Sequence, residues 1–162
     1  MAEQAVPEAP TERVREILER VVNTLGVDAS VEVTETDRQI TGVIDGEDVG
    51  RLIGRRGQMI DAVQFICYRA AQRGATDRKR VIVDAGGYRE RRREQLEDQA
   101  ERAASRASET GREIELDPMT PSERKVVHDF LAERTEVETF SEGDEPDRCV
   151  VVAPLVATDS DD

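Results

Sequence analysis

The chain has 162 residues, with 23 Lys+Arg against 36 Asp+Glu and a formal charge of −13. At roughly 100–200 residues per domain, that length allows one domain or two small ones. Charged residues make up 36% and apolar ones 37%, so the chain is polar yet able to build a core. Its longest apolar run, Cys149 to Ala157, contains Pro154 and is nine residues, far short of the ~20 of a membrane helix; no membrane insertion is expected.

Residues 1–10 carry two prolines and no periodic pattern, so a disordered tail is expected there. They also lack the basic and apolar regions of a secretory signal. From Thr11 the pattern is helical: Val14, Ile17, Leu18, Val21, Val22 and Leu25 recur at steps of three and four, and Gly26 is a fitting stop. Val31 to Thr36 and Gln39 to Asp45 read as paired strands with a turn near Thr36-Asp37. Glu47 to Ile53 is long enough for two helical turns, and Gly54-Arg55-Arg56-Gly57 breaks them. A second helix is predicted over Gln58 to Arg73, apolar on a wide face: Ile60, Val63, Cys67 and Ala70, with Met59, Ala62 and Ile66 beside them. That breadth predicts packing on a sheet. Arg80 to Val83 is a strand, and Gly86-Gly87 a boundary.

Beyond the boundary a long helix is predicted from Tyr88 to Glu109, with Leu96, Ala100, Ala103 and Ala107 as its thin apolar stripe. A short strand, Glu113 to Leu116, follows. Thr120 as N-cap, Pro121 at the first helical position and Glu123 closing a capping box start another helix, with Val126, Val127, Phe130 and Leu131 on its buried side. Two strands remain, Glu136 to Ser141 and Arg148 to Val152, before an acidic tail over 156–162. The few aromatics, Phe65, Tyr68, Tyr88, Phe130 and Phe140, are mostly placed as core candidates. Cys67 and Cys149, 82 positions apart, make neither a disulfide framework nor a metal knuckle. They read as buried reduced thiols, which makes the cytoplasm the expected compartment.

The charge is segregated. Residues 1–49 hold 4 basic and 12 acidic side chains, residues 50–93 hold 12 and 4, and residues 94–162 hold 7 and 20. A basic island in an acidic chain can still bind polyanions, because screening confines the fields to about 8–10 Å. The cations are nearly all Arg, whose planar fork suits phosphate; only Lys79 and Lys125 are Lys.

Gly54-Arg55-Arg56-Gly57 is the most informative stretch. Two glycines three apart between helices allow a tight turn and close approach of a ligand. The next helix begins at once, so its N–H groups and positive dipole end face whatever lies over the turn. No Lys-Ser/Thr follows, so this is not a nucleotide-binding P-loop. Gly-x-x-Gly alone also occurs in ordinary helix–helix turns. Flanked by Ile53 and Ile60 and set in the order helix-strand-strand-helix-helix-strand, it resembles the KH domain in its bacterial, type II arrangement. That resemblance implies a clamp on about four nucleotides of single-stranded RNA. Gly54, Arg55, Arg56 and Gly57 would hold phosphates with Arg51 and Gln58 beside them, and the strand at Gln39–Ile44 would form part of the opposite wall.

Arg124-Lys125-Val126-Val127-His128 puts Arg and His one helical turn apart. A lone His is more often a packed, hydrogen-bonded residue than a ligand. No second His or Cys lies near it for a metal, and no nucleophile is arranged with it. Together with the capped Met119-Thr120-Pro121-Ser122-Glu123 lead-in, the pair resembles the R-3-H domain, named for Arg, three residues and His and associated with single-stranded nucleic acids. A KH domain (11–85) followed by an R-3-H domain (88–155) is similar to the bacterial Jag/KhpB (SpoIIIJ-associated) family. Longer members carry an additional N-terminal domain and charged linker, whereas this chain starts almost at the KH region.

The expected fold class is therefore α+β, two small tandem α/β domains. The expected function is non-catalytic binding of single-stranded RNA, as an RNA chaperone or post-transcriptional regulator. Arg124, Lys125 and His128 are candidate contacts. Arg89, Arg91, Arg92 and Arg93, crowded into the first turns of the long helix, either extend the basic groove or lace an exposed helix with charge. With aromatics scarce, binding is expected to rest on phosphates and base edges and not on stacking. No catalytic residue, metal, cofactor or small-molecule substrate is expected. The resemblance implies a small stand-alone KH protein as partner. The alternatives are an adaptor at envelope or ribosome machinery, and a binder of single-stranded DNA.

Overall fold

The computed structural model describes residues 9–155, so the 156–162 tail and residues 1–8 of the N-terminal one lie outside the described residues. Pro10, expected in that tail, is already helical. The chain divides into two units, one ending at Arg89 and the other starting at Glu90.

In the first unit, α1 (Pro10–Leu25) has Pro at its first turn and ends on Gly26 at φ 61°. Strands β1 (Ala29–Glu35) and β2 (Gln39–Gly46) pair antiparallel, and β3 (Arg80–Ala85) joins β2 in parallel, in the order β1-β2-β3. A parallel neighbour requires a crossover. It is supplied by α2 (Gly50–Ile53) and α3 (Gln58–Ala71). One sheet face carries Ile40, Ile44, Val81 and Val83; Val14 and Leu18 of α1 and Ile60, Val63 and Cys67 of α3 close over it. Leu18 reaches so near β2 that a Cβ at Gly42 would lie 2.5 Å from its Cδ1. Emptying that seat by Leu18→Ala would cost about 2–5 kcal/mol.

Helix α4 (Tyr88–Thr110) starts on the last two residues of the first unit; the second unit holds the rest of it and α5 (Pro121–Leu131), followed by β5 (Val137–Glu142) and β6 (Cys149–Pro154), with the two-residue β4 (Ile114–Glu115) between the helices. The antiparallel order is β4-β6-β5, which puts the all-apolar β6 in the centre. Leu96, Ala100, Ala103, Ala104 and Ala107 of α4, with Val127 and Leu131 of α5, cover Val150 and Val152. The capping box at Thr120 and Glu123 forms as expected.

Two expectations need correction. The helix expected over Glu47–Ile53 is only Gly50–Ile53, because Asp48 sits at φ 59° and stops the helical path. The wide apolar face of α3 is not all buried. A three-stranded sheet shared with α1 has room for the Ile60-Val63-Cys67-Ala71 row alone, and Phe65 is left 63% exposed, Ile66 53% and Met59 40%. Phe130 and Phe140, placed in the core by composition, are also exposed.

Candidate nucleic-acid interface

The turn between α2 and α3 is built from conformations that only glycine takes easily. Gly54 adopts φ 70°, ψ −176°, a region closed to side chains. Arg55–Gly57 then makes a single tight turn with Arg56 at φ 52° and Gly57 at φ 78°. Space enforces the same choice. A Cβ at Gly54 would lie 2.7 Å from the Met59 Cβ, and one at Gly57 2.7 Å from the Tyr88 ring. Tyr88 thus supports the loop from beneath, a role no spacing in the sequence announced beyond an aromatic placed just after Gly86-Gly87.

No side chain caps the N-terminus of α3, so its first N–H groups open toward the turn, where an anion would be favoured. Arg55 and Arg56 are exposed at the tip, and Arg55 has no ion-pair or hydrogen-bond partner on its side chain among the described residues. Gln58 is exposed beside them. Arg51 is exposed too and gives one Nη1 hydrogen bond, 3.2 Å, to the Leu25 carbonyl.

The arginines at the head of α4 are differently employed. Arg89 donates through Nε to the Val83 carbonyl at 2.7 Å and through Nη2 to Gln64 at 3.0 Å, and it pairs with Asp61 at 3.0 Å. It therefore staples α3 to β3. Arg92 pairs with Glu123 at 2.6 Å, and Arg93 with Glu90 and Glu97. Arg91 is exposed. Cations at a helix N-terminus are disfavoured by its dipole, and the carboxylates paired with Arg89, Arg92 and Arg93 offset that cost.

In the second unit Arg124 is buried. Its Nη1 donates to the Met119 carbonyl at 2.8 Å and its Nη2 to Glu145 at 2.7 Å, which ties the lead-in of α5 to the β5–β6 turn. His128 meets the Thr139 hydroxyl through Nδ1 at 2.7 Å and the Ser141 hydroxyl through Nε2 at 3.0 Å, bridging α5 to β5. Burial, and then the nearby Arg124 charge, hold its pKa below the usual value, against a weaker pull from Asp129. Lys125 is exposed and pairs with Asp129 along the helix.

Burial pushes the Cys67 thiol up to about 12, an inert setting for a thiol. Among the described residues no three His, Cys, Asp or Glu side chains gather as a metal site would need. No described helix is long and apolar enough to cross a membrane.

Comparison with known proteins agrees with this architecture. A profile of the KhpA/KhpB KH domain matches residues 11–84, and one of the R-3-H domain matches residues 94–154. The chain is 39% identical over 140 residues to the RNA-binding protein KhpB of Clostridium symbiosum, covering 85% of this chain and 63% of that one. It is 38% identical over 152 residues to the RNA-binding protein KhpB of Lactiplantibacillus plantarum, covering 94% and 47%. It is 32% identical over 146 residues to the RNA-binding protein KhpB of Bacillus subtilis, covering 89% and 70%. The chain thus spans less than two thirds of the length of the first two relatives and more than two thirds of the third. With both domain profiles matched in order and a relative largely covered, this chain belongs to the KhpB family.

Proposed function

We propose that this chain is a non-catalytic binder of single-stranded RNA that clamps about four nucleotides at the Gly54–Gly57 loop. One observation carries the reading: two glycines in side-chain-forbidding conformations open the uncapped N-terminus of α3 next to exposed Arg55 and Arg56. Arg51 and Gln58 flank the phosphates. The name shared by the relatives, RNA-binding protein KhpB, supports the ligand class. In this reading Arg124 and His128 are positioning residues that hold α5, its lead-in and the β5–β6 turn together; Lys125, already paired, makes at most a peripheral contact. The role is that of an RNA chaperone or post-transcriptional regulator in the cytoplasm, with a small stand-alone KH protein as partner.

The test is a salt titration of binding to a single-stranded RNA oligomer and to DNA of the same sequence. Four phosphate contacts at about 0.7 each give a log–log slope near −3. RNA is expected to bind more tightly, since only RNA supplies the 2′-OH. A flat salt response would remove the phosphate clamp, and tighter DNA binding would reassign the ligand.

A further inference from the structure

The sheet of the second unit has two faces of different character. Along β6, Val150 and Val152 belong to the core under α4 and α5. Alternation sends Cys149, Val151 and Ala153 to the opposite face, and none of them joins that core although each is buried. Register sets the same face on the neighbouring strands. Phe140 of β5 and Glu115 of β4 flank Val151, Glu138 stands beside Ala153, and Glu142 beside Cys149. The Cys149 thiol donates to the Glu115 carboxylate at 3.4 Å, as two groups on one face can. Both helices of the unit lie on the other side.

This outer face is an apolar strip with an acidic rim. Phe140 is 40% exposed in the middle of β5, and Leu155 is 48% exposed just past the end of β6. Glu115, Glu138 and Glu142 are exposed. None of the three pairs with a cation among the described residues, whereas Glu136, two residues before Glu138, is already held by Arg134 at 2.8 Å. At about 3.4 Å per residue, Glu138 and Glu142 stand about 14 Å apart with Phe140 between them, and β4 lies about 10 Å from β5 across β6.

Charge decides what can cover such a face. Single-stranded RNA would bring phosphates against three carboxylates. A second copy of the same face would set acid against acid, and like charges so placed oppose association. The chain's own residues outside the described ones fit no better: 1–8 carry Glu3 and Glu8, 156–162 carry Asp159, Asp161 and Asp162, and neither stretch holds a Lys or Arg. A polypeptide bearing Lys or Arg meets attraction along the whole rim. An aromatic ring between two carboxylates adds a cation–π contact, and an apolar side chain from the same segment would shield Phe140 and Val151 from water.

We infer that the outer face of the β4-β6-β5 sheet docks a basic, partly apolar segment of another protein, whose Lys or Arg side chains meet Glu115, Glu138 and Glu142 while an apolar side chain seats on Phe140 and Val151. The second unit then serves a protein partner on this face, independently of the RNA clamp at Gly54–Gly57.

The probe is a short peptide of alternating arginine and valine, acetylated and amidated, titrated into the full chain and followed by heteronuclear NMR. Amide shifts should move along 137–142 and 149–155. Glu138→Gln/Glu142→Gln should weaken binding at least fivefold and Phe140→Ser at least threefold. Glu109→Gln/Glu133→Gln removes the same two charges from the helical side of the unit and should change it less than twofold. A peptide with serine in place of valine should bind at least threefold more weakly. Should Phe140→Ser fail to fold, the glutamate pairs and the serine peptide carry the test. Equal weakening by the two glutamate pairs would mean attraction to net charge alone and overturn the proposal. Shifts that miss the sheet, or no binding at all, would do the same. RNA affinity should be unchanged in Phe140→Ser; its loss would hand the face to RNA. A parent mass that rises with concentration, and no longer does so in Phe140→Ser, would hand it to a second copy. Either result overturns the proposal.

Discussion

The two arginine signatures of this chain have opposite fates in the fold. At the Gly54–Gly57 loop the backbone carries the strain and the arginines are left outside, on a turn whose geometry glycine alone permits. In α5 the backbone is an ordinary capped helix and the signature side chains turn inward, Arg124 to Met119 and Glu145, His128 to Thr139 and Ser141. Both look alike as basic motifs in a nucleic-acid-binding family. Burial and hydrogen-bond partners separate them: a guanidinium already held by a carbonyl and a carboxylate has little left for a phosphate.

The largest effect should come from the loop. Arg55→Asp/Arg56→Asp removes two positive charges and adds two negative ones while the glycines keep the turn. Binding of single-stranded RNA should fall at least tenfold, about 1.4 kcal/mol or more, because repulsion replaces charge-assisted contact. The side chains are exposed, so the melting temperature should hardly move. A fluorescence-anisotropy titration beside a thermal melt reads both. Equal affinity at equal salt would show that the loop is not the clamp.

The mirror image is expected at Arg124. Arg124→Ala leaves the Met119 carbonyl and Glu145 without their donor. Hydrogen bonds of this charged kind are worth about 1.5–3 kcal/mol, and the half-exposed Glu145 places the loss at the low end. The second unit should melt earlier, while RNA affinity at a temperature where the protein is folded should change less than twofold. Lost affinity with unchanged melting would make Arg124 a ligand contact and erase the contrast between the two signatures.

Much of this was legible in the residues, because local physics wrote it there. The capping box at Thr120 and Glu123, the stop at Gly26 and the strand alternation at Ile40 and Ile44 each depend on neighbours in sequence. The two α/β units follow from such local signals. What could not be read was partner choice over distance. That Arg89 would meet Val83, Gln64 and Asp61 depends on α3 lying beside β3. That Tyr88 would sit under Gly57 depends on where the chain returns after β3. The misplacement of Phe65, Phe130 and Phe140 has a different source: composition ranks a phenylalanine as core, but only the width of the sheet decides which apolar residues find cover.

The smallest effect sharpens the same contrast through pH. His128 has its pKa lowered by burial first and by the Arg124 charge second, with Asp129 opposing; its two ring nitrogens face the neutral hydroxyls of Thr139 and Ser141. The unfolded chain therefore takes up the proton before the folded one does. Between the two pKa values the unfolded state binds more protons, so stability rises with pH. The contribution is complete above the ordinary histidine value, near 6.5, and is lost as pH falls through the folded value. His128→Gln keeps an amide donor and acceptor at the site but cannot titrate. The parent should lose more melting temperature than this variant on going from pH 7.5 to pH 5, and the two curves should run parallel above pH 7.5. Parallel curves over the whole range would mean that His128 is solvated like a surface imidazole, which would return it to the list of groups free to meet RNA.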